Sequence, residues 1–255
     1  MKTGSKTIWI LSACIFLAPV IFFRGVPLCA AESLTAGVAA NFMVPFGELA
    51  GIYEKRTGCK VDATYTSTGN LYGQIINGAP YDLYLSADQA RPELILQAGL
   101  TDRVFVYARG AVVLWSAEKT LCESENWKEV LTLPQVRRIA IANPETAPYG
   151  AAAKTALLRT GLWQKVEAKL VFAQTVAQVF QYAHTGAVDA GFCARSSVYT
   201  EQGKRGCSYP VEQAPVVIQA ACILRRTEKK AAADAFAFFL MSAEAEAVKE
   251  KYGYE

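Results

Sequence analysis

With 255 residues, 52% of them hydrophobic and 19% charged, the chain has apolar mass for one large domain or two smaller ones, which excludes a disordered chain. The formal charge of +3 sits at the start: Lys2, Lys6 and Arg24 are the only charged residues before Glu32. Without them the 26 basic residues fall to 23, equal to the 23 acidic ones, so the charge balance gives no reason to expect nucleic acid or an anionic membrane surface as partner.

Residues 1–31 read as a secretory signal. Lys2 and Lys6 precede an apolar run from Ile8 to Phe23, and Cys29-Ala30-Ala31 forms a small-residue exit, with cleavage expected after Ala31. The apolar run is about 16 residues, short for a spanning helix. Lipid attachment at Cys29 is a second reading, although Leu28 stands where a small residue is usual. The expected destination is the periplasm.

Beyond the leader, short β-type runs alternate with helical patterns. Strands are expected at 33–40, 60–66, 82–87, 111–117, 137–143, 168–173 and 187–193. Between them lie amphipathic segments that end on glycine. In "PFGELAGIYEKRTG", Phe46, Leu49, Ala50 and Tyr53 share a face and Gly58 supplies the stop. Such alternation means βαβ units and a parallel sheet. The run "APVVIQAACILRR" (214–226) reads as one strand long enough to pass between two lobes. The terminal "AAADAFAFFLMSAEAEAVKEKYGYE" reads as one helix with Phe236, Phe239, Leu240 and Ala243 on its core face.

Five cysteines follow the leader: Cys59, Cys122, Cys193, Cys207 and Cys222. Their spacings fit no metal-ligand motif, and the odd count leaves at least one thiol outside any internal bridge. No pairing follows from the spacing. Cys193 lies in an apolar run and reads as a small core residue. The single histidine, His184, falls late in a helix, and no nucleophile elbow or histidine cluster appears. An exported enzyme is therefore disfavoured.

Four strand-to-helix junctions carry the functional signal: "VAANFM" (38–43), "YTSTGNLYGQI" (65–75), "ANPETAPYG" (142–150) and "AQTVAQVF" (173–180). Open α/β sheets bind ligands at the carboxyl ends of their strands. A helix start exposes unpaired N–H groups and a partial positive charge. Taken singly, Asn, Ser and Thr at such places are ordinary N-caps. Together the loops contain no Lys, Arg, His, Asp or Cys, and Glu145 is their one charged residue. Donors without a countercharge or a proton acceptor suit a fully ionised tetrahedral oxyanion better than a partly protonated phosphate. In "NPETAPYG", Pro148 reads as a helix-initiating residue and Gly150 as room for close approach of the anion.

At these residues the chain resembles the periplasmic molybdate-binding proteins of bacterial ABC importers. "TSTGNLYGQIINGAPYDLYLSAD" (66–88), "IANPETAPYG" (141–150), "GAVDAGF" (186–192) and "KYGY" (251–254) carry the likeness, which spans Ser33 to Tyr254. The resemblance implies a type II periplasmic binding protein fold, α/β, with two lobes joined by two crossover strands, "AVVLWS" and "APVVIQ". Each lobe would be a mixed, mostly parallel sheet flanked by helices. Lobe 1 would comprise 32–112 and 216–255, and lobe 2 would comprise 113–215. It implies oxyanion ligands at Asn41, Thr68, Tyr149 and Val176, with Ala40 and Ser67 as additional candidates. The Asn41 side-chain amide and the Thr68 hydroxyl would donate, as would the backbone N–H of Tyr149 and Val176. Some members carry a tyrosine ligand where this chain has Ala194, which leaves the Tyr149 hydroxyl as the substitute to test.

The function so implied is capture of molybdate, with tungstate alongside it, and delivery to an ABC permease by a monomer that needs no cofactor or metal-ligand cluster. The alternatives are sulfate, thiosulfate or another anion in the same cleft, or a scaffold protein without a ligand.

Overall fold

The computed structural model describes residues 33–255; the leader and Cys29 lie outside the described residues. The chain runs through β1 (Leu34–Ala39), a 3-10 turn (Ala40–Phe42), α1 (Met43–Thr57), β2 (Val61–Thr66), α2 (Thr68–Ile76), β3 (Leu83–Leu85), α3 (Ala90–Gln97) and β4 (Thr101–Gly110). It continues through β5 (Val112–Ser116), α4 (Trp127–Thr132), β6 (Ile139–Ala142), α5 (Pro148–Arg159), α6 (Trp163–Val166), β7 (Leu170–Ala173), α7 (Val176–His184), β8 (Ala190–Ala194) and β9 (Cys207–Pro210). It closes with β10 (Val217–Leu224), α8 (Lys230–Leu240) and α9 (Ala243–Lys251).

These strands form two five-stranded sheets of the same design, ordered β2-β1-β3-β10-β4 and β7-β6-β8-β5-β9. In each sheet one strand, β10 or β5, runs against the other four. Those two are the strands the chain enters on arriving from the other sheet. Each enters its sheet at the carboxyl ends of the neighbouring strands, Val112 beside Ala194 and Val217 beside Gly110, and so runs against them. The first crossing takes a single residue, Ala111, between β4 and β5. The return runs through 211–216.

The expected strands are all present, and two unexpected ones join them. β4 and β9 both lie at sheet edges. β4, "TDRVFVYARG", has charged residues towards both ends of an apolar stretch and leaves most of its side chains exposed or half-buried, pairing with β10 alone. The 214–226 run forms β10, which stays in the first sheet against β3 and β4. The expected terminal helix is two helices. Ser242 breaks it by accepting the Ala245 N–H at 3.2 Å and capping α9. Phe236, Phe239 and Leu240 are buried as expected, whereas Ala243 is exposed at the new helix start.

Each sheet carries its own core. Phe46, Tyr53, Phe236 and Phe239 interlock edge-on between α1 and α8, with Tyr53 and Phe236 centroids 5.0 Å apart. Trp115, Trp127 and Phe192 anchor the second core. Gly58 ends α1 at φ 75°, donating to the Glu54 carbonyl at 2.8 Å in a left-handed cap that side chains resist. Cys122 and Cys207 form a disulfide, with Cα atoms 5.5 Å apart. Cys59, Cys193 and Cys222 are buried thiols, and burial pushes the Cys222 thiol up to about 12. Among the described residues no helix is long and apolar enough to cross a membrane.

Candidate functional site

Parallel pairing sets the strand ends level. Ala39 lies beside Thr66 where β1 and β2 finish, and Ala142 lies beside Ala173 where β6 and β7 finish. The four junctions leave from these ends and converge. Ala40, Asn41, Ser67, Thr68, Tyr149 and Val176 line one small cavity of about 10 Å³, together with Ala39, Ala87, Ala147, Pro148 and Thr175. All six candidate residues named from the sequence are thus brought to one place.

Their donors differ in availability. The Ser67 hydroxyl caps α2 by accepting the Asn70 N–H at 3.4 Å, and the Thr175 hydroxyl caps α7 by accepting the Gln178 N–H at 3.1 Å. Each cap satisfies one of several orphan N–H groups. The backbone N–H groups of Thr68, Tyr149 and Val176 have no acceptor among the described residues. The Thr68 hydroxyl accepts from the Ala87 N–H at 2.9 Å, which leaves its own proton to donate.

Asn41 departs from expectation. Both N–H groups of its side-chain amide are spent inside the protein, on Gln219 Oε1 at 2.7 Å and the Tyr254 hydroxyl at 3.1 Å. The Tyr149 hydroxyl is also turned inward. It accepts from Gln219 Nε2 at 3.3 Å and lies where a side chain on Gly110 would stand. Burial holds it neutral by pushing its pKa well above the usual tyrosine range. Gly150 serves packing rather than the anion. A Cβ there would meet the Ala142 carbonyl oxygen at 2.0 Å, so the glycine lets α5 sit on the end of β6. Ala194 is buried at the end of β8. Two residues on, Ser196 crosses the cleft and donates to the Asn41 carbonyl at 3.0 Å.

Two further contacts join the rims. The Gly69 N–H donates to the Thr146 carbonyl at 2.8 Å, and Arg91 donates to the Glu145 carbonyl at 2.8 Å while paired with Asp88. No lysine, arginine, aspartate, glutamate or histidine lines the cavity. A larger groove adjoins it, between Met43, Val44 and Tyr65 on one lobe and Gln178, Phe180 and Gln202 on the other. The arrangement is a shielded pocket with hydrogen-bond donors from both lobes and no fixed charge.

Sequence reasoning missed the polar groups behind this pocket: Gln219, Tyr107, Tyr254 and Ser196. One signal was available. Gln219 is the one amide in the apolar run 217–224, and a buried amide requires partners.

The comparisons agree with this geometry. Residues 34–255 match the family described as bacterial extracellular solute-binding protein. The molybdate-binding protein ModA of Azotobacter vinelandii is 38% identical over 90% of this chain and 93% of its own length. The ModA of Rhodobacter capsulatus is 35% identical over 88% of this chain and 89% of its own length. The solved periplasmic molybdate-binding protein of Azotobacter vinelandii superposes with a TM-score of 0.82 at 35% identity, covering 87% of this chain and 98% of that one. This chain belongs to the bacterial extracellular solute-binding protein family, grouped with the ModA proteins.

Proposed function

We propose that this protein captures molybdate, and tungstate with it, in the cleft between its lobes outside the cytoplasm and delivers it to the permease of an ABC importer. The observation that carries the reading is the set of uncharged donors from four helix starts meeting in one pocket without a carboxylate or a base. Taking a dianion out of water is costly, and several preorganised N–H and O–H groups offset that cost. The pocket lining holds no carboxylate or imidazole to accept the proton that phosphate carries at neutral pH. The ligands would be the backbone N–H groups of Asn41, Tyr149 and Val176 and the Thr68 hydroxyl and N–H, with Ala40 and Ser67 completing the wall. The likeness to ModA proteins supports the choice of molybdate within this fold.

The lobes would divide as 32–112 with 216–255, and 113–215, hinged at Ala111 and in 211–216. A ligand touching both selects the closed form, and the permease reads that closure. The protein acts as a monomer without cofactor and catalyses no reaction. A melting screen with molybdate, tungstate, sulfate and phosphate tests the reading. Molybdate and tungstate at a thousandfold excess over Kd should add about 4 kcal/mol. A response to sulfate alone reassigns the cargo, and a flat response to all four rejects oxyanion binding.

A further inference from the structure

The binding pocket has a buried support that spans both lobes. Gln219, on β10, is completely buried. Its Oε1 accepts from Asn41 Nδ2 at 2.7 Å and from the Tyr107 hydroxyl at 3.0 Å, and its Nε2 donates to the Tyr149 hydroxyl at 3.3 Å. One carboxamide therefore fixes a pocket residue on its own lobe and another across the cleft. Gly110, the last residue of β4, completes the seat. A Cβ there would stand 2.1 Å from the Tyr149 hydroxyl oxygen and 2.9 Å from Gln219 Nε2. Only a residue without a side chain lets the tyrosine reach the glutamine. Tyr254 closes the far side, donating to the Asn41 carbonyl at 2.7 Å.

We propose that Gln219 and Gly110 form a socket for the Tyr149 hydroxyl, and that Gln219 is the positioning residue that holds Asn41 and Tyr149 in register across the cleft. The Tyr149 hydroxyl then acts as a strut between lobes, and its backbone N–H is what it offers the ligand. This rests on the proposed oxyanion function for its affinity readout. The glutamine suits the task because it accepts and donates at once. Glutamate in its place keeps the shape and both acceptor bonds but, once ionised, cannot donate to the tyrosine, and it sets a negative charge behind an anion site. Protonated glutamate regains the donor and loses the charge. The titratable groups facing position 219 are Tyr107, Tyr149 and Tyr254, with Lys249 bound to the Tyr107 carbonyl and Asp88 beyond Ser86.

The test combines calorimetry and hydrogen exchange on wild type, Gln219→Glu and Gly110→Ala. Wild-type binding of molybdate is measured first, so a failure of the functional reading is seen separately. Gln219→Glu should bind molybdate at least about tenfold more weakly at pH 8, because the ionised carboxylate sets a negative charge behind the dianion and reverses the hydrogen bond to Tyr149. Its affinity should recover as the pH falls to 6, while wild type stays level. Gly110→Ala should quicken amide exchange in 146–150 with no ligand present, a readout that does not depend on the cargo. Wild-type exchange in Gly110→Ala, or a pH-independent affinity in Gln219→Glu equal to wild type, overturns the proposal.

Discussion

The backbone N–H of Gly69 donates to the carbonyl of Thr146 at 2.8 Å, tying the first turn of α2 on one lobe to the loop before α5 on the other. The approach leaves no room for a side chain. A Cβ on Gly69 would meet Thr146 Cα at 3.0 Å and its Cβ at 3.1 Å. Gly69→Ala should hold the lobes slightly apart and weaken molybdate binding roughly fivefold, about 1 kcal/mol. The ligand-free melting temperature should stay put, because the contact joins lobes rather than filling a core. Titration calorimetry beside a melting curve checks both halves.

Gly150 gives the opposite pattern. Replacing glycine by alanine inside a helix ordinarily stabilises by about 1 kcal/mol. Here the added carbon would stand 2.0 Å from the Ala142 carbonyl oxygen and force α5 off β6. Gly150→Ala should cost about 2–3 kcal/mol of stability, as overpacking does. Denaturant midpoints measured without ligand decide it. An unchanged midpoint would mean that α5 tolerates the displacement.

Acid and base should act on stability and binding differently. Tyr84, Tyr107, Tyr149 and Tyr254 are buried, and burial raises each pKa above that of an exposed tyrosine. The native state thus holds these protons more tightly than the unfolded chain does. Their contribution is fully present below the unfolded value near 10 and is lost as the pH climbs above it, so stability should fall steeply past about pH 10. Ligand affinity should stay flat from pH 6 to 9. The pocket wall carries no carboxylate or histidine, and His184 packs on Trp115 and Phe180 at the far end of α7. Calorimetry with tungstate at several pH values checks this, and a slope would place an ionising group at the ligand.

The disulfide joins residues 85 apart in sequence, Cys122 and Cys207. It fixes β9 at the outer edge of the second sheet to the segment that follows β5. Reduction should lower stability by about 2–4 kcal/mol. Urea curves with and without reductant measure the loss. Cys193 and Cys222 should resist a thiol reagent until the protein unfolds, since both are buried and burial disfavours the thiolate.

Much of the fold was legible because local signals agreed. Glycine stops, Pro148 at a helix start and short apolar runs place α1, α5, β1 and β6 without reference to any partner. β4 and β9 were hidden because an edge strand buries only part of its side chains and owes its form to its neighbour. The break at Ser242 was hidden because "FFLMSAEAEA" has helical composition throughout, and only the hydroxyl bonding the Ala245 N–H marks a new start.

The sequence by itself determined the kind of chemistry: helix starts rich in neutral donors, at strand ends, without a charged partner. Those are properties of residue type and local order, which short-range sterics and hydrogen bonding dictate. Tertiary structure alone decided where each donor points. It turned the Asn41 amide and the Tyr149 hydroxyl inward onto Gln219, a residue far from either in sequence, and assigned Gly150 to packing against Ala142. A buried amide must satisfy every donor and acceptor it carries, and which groups come within reach is set by how two sheets meet.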